Sequence, residues 1–294
     1  MPAEAEAEAG IDWYSSSSND YFHEYHAGGA TGGHVSAVDM GAGLISASGP
    51  LHCVLEGNTE VPLHLQPSQS TPSEESLSKY ALVSSISARA TLSEFQVLRQ
   101  NARIRIERAI GERHYFVDLS DDLGCIKRKL RKSYRSLVNK QEGVIASHGI
   151  KAAKLMDDCR TIHLKVAGKK TRPEKTWELM GAAVQRDQAV LVTSEYEGTT
   201  LGYCYISHNG INGYYSSSAI LERKGMHPLI WKAIEQCKKK GLKRLYMDIE
   251  TAGVDRSVKE ENISLFKRGF GLKAQDAMRF EIKRPSGEMR LFYQ

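Results

Sequence analysis

Three side chains that can move protons alternate along one short stretch: Tyr246, Asp248 and Glu250 in Leu245-Tyr246-Met247-Asp248-Ile249-Glu250. Strand periodicity puts these three on one face and Leu245, Met247 and Ile249 on the other. A carboxylate so placed can take the proton of an amine that attacks a carbonyl, directly or through a water. The same residues suit a solvated strand end, and the sequence leaves both readings open. Replacing Asp248 or Glu250 by its amide is expected to lower turnover with little loss of stability. Upstream, Tyr214-Tyr215-Ser216-Ser217-Ser218 gathers hydroxyls that could orient an acceptor, though such residues also fit a half-exposed strand.

Two features could hold anions. Arg223, Lys224, Gly225, Met226 and His227 directly precede Pro228, where a helix is expected to open with unsatisfied N–H groups and a positive dipole end. Lys127, Arg128, Lys132 and Arg135 lie on a basic helix expected from Lys127 to Lys140, a landing strip for a polyanion such as tRNA or a plain solvated face. His163 and His208 have no partners at metal or triad spacing, so neither is given a role and no metal site is expected.

The elements that must position these groups are legible from His114 onward. Tyr115 to Leu119 reads as a strand, and Ser120-Asp121-Asp122 as the cap of the basic helix. Two further helices are expected through Leu155 to Val166 and around Trp177 to Val184, after Pro173. Strands at 189–196, 201–208 and 211–219 should form an antiparallel meander through the turns Glu197-Gly198 and Asn209-Gly210. A helix from Pro228 stops at Gly241, a strand covers 245–249, and Ser257-Val258-Lys259-Glu260 is a capping box for a helix ending at Gly269. Strands near 278–282 and 289–293 close the chain. Upstream, 1–20 reads as a flexible tail, 51–65 as a hairpin and 66–79 as a linker.

The 294 residues suffice for one large domain or two modest ones. With 41% hydrophobic and 26% charged residues, the composition excludes a disordered chain. The net charge of +5 suits an anionic ligand but is too small to demand nucleic acid, and no DNA partner is expected. Met1-Pro2 and the alternating Ala and Glu that follow show no secretory signal, and no apolar run is long enough to span a membrane. Five scattered cysteines without a close pair fit a reducing, cytoplasmic setting.

In order, the elements from His114 are similar to those of the GNAT acyltransferase superfamily, and Asn262-Ile263-Ser264-Leu265-Phe266-Lys267-Arg268-Gly269-Phe270 resembles its Asn-led helix with a Tyr-x-Lys-x-Gly-Phe ending. Arg131-Lys132-Ser133-Tyr134-Arg135 and Ala167-Gly168-Lys169-Lys170-Thr171-Arg172 before Trp177 resemble the FemAB-like branch. The resemblance implies an α/β, GNAT-like fold: a mixed, mostly antiparallel sheet flanked by helices over 113–294. Residues 21–112 would then be a smaller, incomplete N-terminal region, a reduced GNAT-like half. It also implies an N-acyltransferase whose strand at 211–219 splays from 245–249 and offers backbone N–H groups to the donor. Ser216, Ser217, Ser218, Arg223, Lys224, Gly225, Met226, His227 and Asn262 would then contact the donor.

Two departures from the family bear on the donor. The pyrophosphate loop keeps only Gly225, with Met226, His227 and Pro228 crowding the turn, and Phe266 stands where the superfamily often has an acidic tyrosine. Expected, then, is an enzyme without a tightly bound cofactor, using aminoacyl-tRNA or acyl-CoA, with a donor other than simple acetyl-CoA favoured. The acceptor would be an amine on a cell-wall precursor or amino sugar, in cell envelope biogenesis. The alternative is a GNAT-like module that has lost catalysis and binds a nucleotide or RNA.

Overall fold

The computed structural model describes residues 35–39, 44–47, 63–66, 80–83, 85–100, 105–140, 143–147, 154–170, 172, 174–208, 212–221, 225–283 and 289–293. The expected tail, most of the hairpin at 51–65, most of the linker at 66–79, and Arg223 and Lys224 lie outside them. In chain order the elements are β1 (Val35–Asp39), β2 (Leu44–Ala47), β3 (Leu63–Gln66), β4 (Tyr80–Val83), β5 (Ser85–Thr91), α1 (Leu92–Arg99) and β6 (Arg105–Asp118). There follow α2 (Leu123–Lys129), α3 (Lys132–Leu137), β7 (Val144–Ser147), α4 (Met156–Ala167), α5 (Glu174–Gln185), β8 (Ala189–Tyr196), β9 (Thr199–His208) and β10 (Asn212–Ile220). The last are α6 (Met226–Lys239), β11 (Arg244–Thr251), α7 (Val258–Arg268), β12 (Lys273–Lys283) and β13 (Met289–Tyr293).

The chain divides into two compact units. The described residues within 115–248 and 256–273 belong to the first, and those within 20–114, 249–255 and 274–294 to the second. Where 113–294 was expected as one domain, the structure groups 249–255 and 274–294 with the N-terminal strands. Hydrogen bonding is the reason for the last segment: β12 runs antiparallel to β5 from Ala277 opposite Thr91 to Lys283 opposite Ser85. In this second unit β13 lies between β1 and β4, and Phe95 of α1 packs on Phe280 at 4.9 Å between ring centroids. Buried Glu112 receives His114 Nε2 at 2.7 Å and Arg279 Nε at 3.3 Å.

The first unit is α/β, with strand order β6-β11-β10-β9-β8-β7. The expected meander is present: β8 pairs antiparallel with β9, and β9 with β10. The edge strand β7, antiparallel to β8, was not foreseen, because Val144-Ile145-Ala146-Ser147 is too short to show a period. Against the sheet pack Leu229, Ile230, Trp231, Ala233, Ile234 and Cys237 of α6, all buried, with Val190, Val192, Ile206, Leu245 and Met247. Each large side chain so buried contributes about 1.5–3 kcal/mol. The capping box of α7 forms as expected, with Ser257 Oγ accepting from Glu260 N and Glu260 Oε2 accepting from Ser257 N.

The basic helix expected from Lys127 to Lys140 is instead α2 and α3, broken at Leu130-Arg131. Both residues are extended, and Arg131 N bonds Gly269 O at 2.8 Å rather than a carbonyl one turn back. A tertiary hydrogen bond thus overrides a continuous helical pattern that contains no breaker.

Candidate functional site

The parallel pairing of β10 with β11 covers only Asn212 with Arg244, Gly213 with Leu245 and Tyr214 with Tyr246. Beyond Tyr214, β10 stays on β9 as far as Ile220 but leaves β11, so the expected splay is present. Its local cause is a bulge between Tyr215 and Ser217: Tyr215 opposes Ile206 and Ser217 opposes Tyr205, leaving Ser216 as the extra residue. A bulge bends its strand and increases its twist, turning β10 away from β11. Beyond Tyr214 the backbone of β10 on that side is no longer paired with β11.

The three serines are occupied within the protein. Ser216 Oγ bonds Ser207 Oγ at 2.6 Å and Tyr214 O at 3.0 Å, tying the bulge down. Ser217 Oγ meets the Tyr203 hydroxyl at 2.6 Å, and Ser218 Oγ meets the Tyr215 hydroxyl. Their side chains shape the strand, and what the strand can present is its backbone.

On the other side of the splay, Asp248 is not the exposed carboxylate expected. Its side chain is 11% exposed. It receives Arg256 Nη1 at 3.2 Å and Nη2 at 3.4 Å, and the Ser264 hydroxyl of α7 at 2.5 Å. Tyr246 is buried too, stacked on Tyr214 at 5.4 Å and against Phe116 at 5.5 Å. Glu250 is exposed, on the segment that groups with the second unit. Asn262 is exposed on α7.

Sequence reasoning missed Lys267. It reads as one of the basic residues that favour the last turn of a helix, but it is only 8% exposed. Its ammonium sits 4.9 Å from the centroid of the Tyr215 ring, on the splayed part of β10. Burial lowers its pKa; Asp248 offsets part of that and Arg256 adds to it. The signal that could have found it is the spacing Ser264-x-x-Lys267, which puts both on one face of α7.

At the N-terminus of α6, Gly225 is the N-cap and no side chain caps the helix. The helix starts at Met226, so Pro228 is its third residue and removes one of the free donors. The His227 ring is packed edge-on against Tyr134 at 4.3 Å and Phe266 at 5.1 Å. Both its nitrogens are enclosed without a hydrogen bond, and burial lowers its pKa. Phe266 therefore serves as one wall of an aromatic cluster, in which the Tyr134 hydroxyl donates to Phe266 O at 3.2 Å.

The four expected polyanion contacts are spread over α2 and α3. Lys127 Nζ donates to Asn139 Oδ1 at 2.6 Å, and Arg128 Nη2 to Cys125 Sγ at 2.8 Å. Arg135 donates to Arg128 O at 2.6 Å and Leu130 O at 3.2 Å, capping the end of α2. Lys132 is exposed. Among the described residues, no helix is long and apolar enough to cross a membrane.

No family model and no curated protein matches the chain in sequence. Solved structures do match. The C-terminal domain (DUF2156) of a protein assigned as a lysylphosphatidylglycerol synthetase from Agrobacterium fabrum is 11% identical, with TM-score 0.50, over 95% of this chain and 92% of that one. FemX is 11% identical with TM-score 0.49, over 70% of this chain and 72% of that one. L-PGS from Bacillus licheniformis is 14% identical with TM-score 0.48, over 83% and 81%. These are likenesses of fold. By its element order and the splay of β10 from β11, the chain carries the GNAT-like fold that its sequence resembles.

Proposed function

We propose that the chain is an N-acyltransferase, moving an acyl or aminoacyl group onto an amine of a cell-wall precursor, an amino sugar or a related acceptor. The observation that carries this reading is the buried Lys267 ammonium beside Tyr215, on the part of β10 that has left β11. A carbonyl held by backbone N–H groups of β10 would develop negative charge on attack, and a cation in a poorly hydrated place stabilises that charge strongly. Lys267 is the group proposed to face it. Asp248 positions Lys267 and α7 through Ser264 and Arg256.

The donor proposed is aminoacyl-tRNA rather than simple acetyl-CoA, with acyl-CoA as the competing choice. Pro228 withholds an N–H from the α6 N-terminus, and enclosed His227 narrows the turn that would cradle a pyrophosphate. The test is a titration of coenzyme A and of aminoacyl-tRNA at several salt concentrations. Salt-sensitive tRNA binding is expected. Tight, nearly salt-independent coenzyme A binding with no tRNA binding overturns the choice of donor.

A further inference from the structure

A cavity of about 340 Å³ opens on the first unit between α4 and the start of α5. Its wall is cationic. Arg160, Lys165, Lys169, Lys170 and Arg172 line it, against one carboxylate, Glu174. Glu174 is already paired with Arg160, so its charge is spent locally. Lys165, Lys169 and Lys170 are exposed and form no ion pair among the described residues. Arg172 is different in kind: only 8% of it is exposed, and its guanidinium lies 5.5 Å from the centroid of the Trp177 ring.

The buried side of the cavity is ordered by a directional hydrogen-bond chain. Arg172 Nη1 lies 2.8 Å from His163 Nε2 and can only donate, so Nε2 accepts. Nδ1 then carries the proton and donates to the Tyr203 hydroxyl at 2.8 Å, which in turn donates to Ser217 Oγ on β10 at 2.6 Å. Burial and Arg172 hold the His163 pKa down to about 3, so the ring adds no charge at neutral pH. The positive field comes from the guanidinium and the lysines. Leu164 and Trp177 complete the lining with apolar surface.

We propose that this cavity binds a small organic phosphate, its phosphoryl group held by Arg172, Lys169 and Lys170 and its organic part lying against Leu164 and Trp177. A doubly charged group suits several converging cations better than a carboxylate does, and a pre-fixed guanidinium matches phosphoryl oxygens in a fork geometry. The site stands whether or not the first unit transfers acyl groups, because it is read by binding alone.

Calorimetric titration of the full chain at low salt with phenyl phosphate, inorganic phosphate and phenol tests it. Phenyl phosphate is expected to bind one equivalent, more tightly than inorganic phosphate, with no heat from phenol. The double substitution Lys169→Met/Lys170→Met, on exposed side chains, should weaken phenyl phosphate at least tenfold without moving the melting temperature. Arg172→Lys should weaken it further, and its melting curve reports whether the core survives. No binding of either phosphate, or undiminished affinity in the double variant, overturns the proposal.

Discussion

Lys267 on α7 holds its ammonium 4.9 Å from the ring centroid of Tyr215 on β10, so the last turn of one helix and the splayed half of one strand meet through a buried cation. A hydrophobic side chain of similar length would pack there without the desolvation that burial imposes on a charge. A charge buried where an apolar side chain would pack is the reason Lys267 is proposed to act on a ligand.

Lys267→Met should therefore separate stability from activity. Because the folded pKa lies below the usual 10.5, the unfolded chain holds this proton more firmly. Wild-type stability gains as pH rises through the interval between the lowered value and 10.5, and the penalty is fully present below that interval. The methionine variant should melt no lower than wild type at pH 7, and its relative advantage should shrink toward pH 10.5. Turnover should fall at least a hundredfold, about 2.7 kcal/mol of transition-state stabilisation. Melting curves across pH beside single-turnover rates check both halves.

The two carboxylates of β11 should part company. Asp248→Asn weakens the charge-assisted bonds from Arg256 and Ser264 and should cost about 2 kcal/mol. Glu250→Gln, on an exposed side chain, should leave stability within about 0.5 kcal/mol. Urea midpoints distinguish them; equal midpoints would refute the positioning role given to Asp248.

Much of the first unit was legible because its signals are local. The Ser257–Glu260 capping box, the stop at Gly241 and the Glu197-Gly198 turn of the meander each combine a residue type with a fixed offset, while the expected Asn209-Gly210 turn lies outside the described residues. Three features were not. The break at Leu130-Arg131 depends on Gly269 O, more than a hundred residues away in sequence. Period-2 alternation put Tyr246 on a face with Asp248 and Glu250, but not that Tyr214 and Phe116 would cover it. Lys267 reads as a solvated helix end until the fold turns it inward beside Tyr215.

Gly271 sits under the break between α2 and α3, with φ of +74°, and a Cβ there would lie 2.6 Å from Lys129 O. The contact is with backbone, so no side-chain rotation relieves it. Gly271→Ala should destabilise the protein by about 3 kcal/mol, from left-handed strain and overpacking together. A chemical denaturation midpoint within error of wild type would contradict it.

Acid should weaken the fold through its buried histidines. Burial lowers His163 to about 3 and His208 to about 4, against 6.5 in the unfolded chain. Unfolding then takes up protons below 6.5, so stability is complete above that pH and is lost as pH falls from 6.5 toward 4 and then 3. His163→Gln should flatten part of that decline and leave the share of His208. Stability measured at half-unit steps from pH 7 to 4 shows whether it does.

The proposed function requires the splayed strand and Lys267 to act together in acyl transfer to an amine. The most direct measurement is a single-turnover assay with the acyl carbon radiolabelled, offering aminoacyl-tRNA and acetyl-CoA to amine acceptors, with wild type and Lys267→Met compared. Label is expected on the acceptor amine with wild type, more readily from aminoacyl-tRNA, with loss of at least about 99% of the rate in the variant. Failure to transfer label from either donor while neither donor shifts the melting temperature would contradict it, as would a Lys267→Met variant that transfers at the wild-type rate.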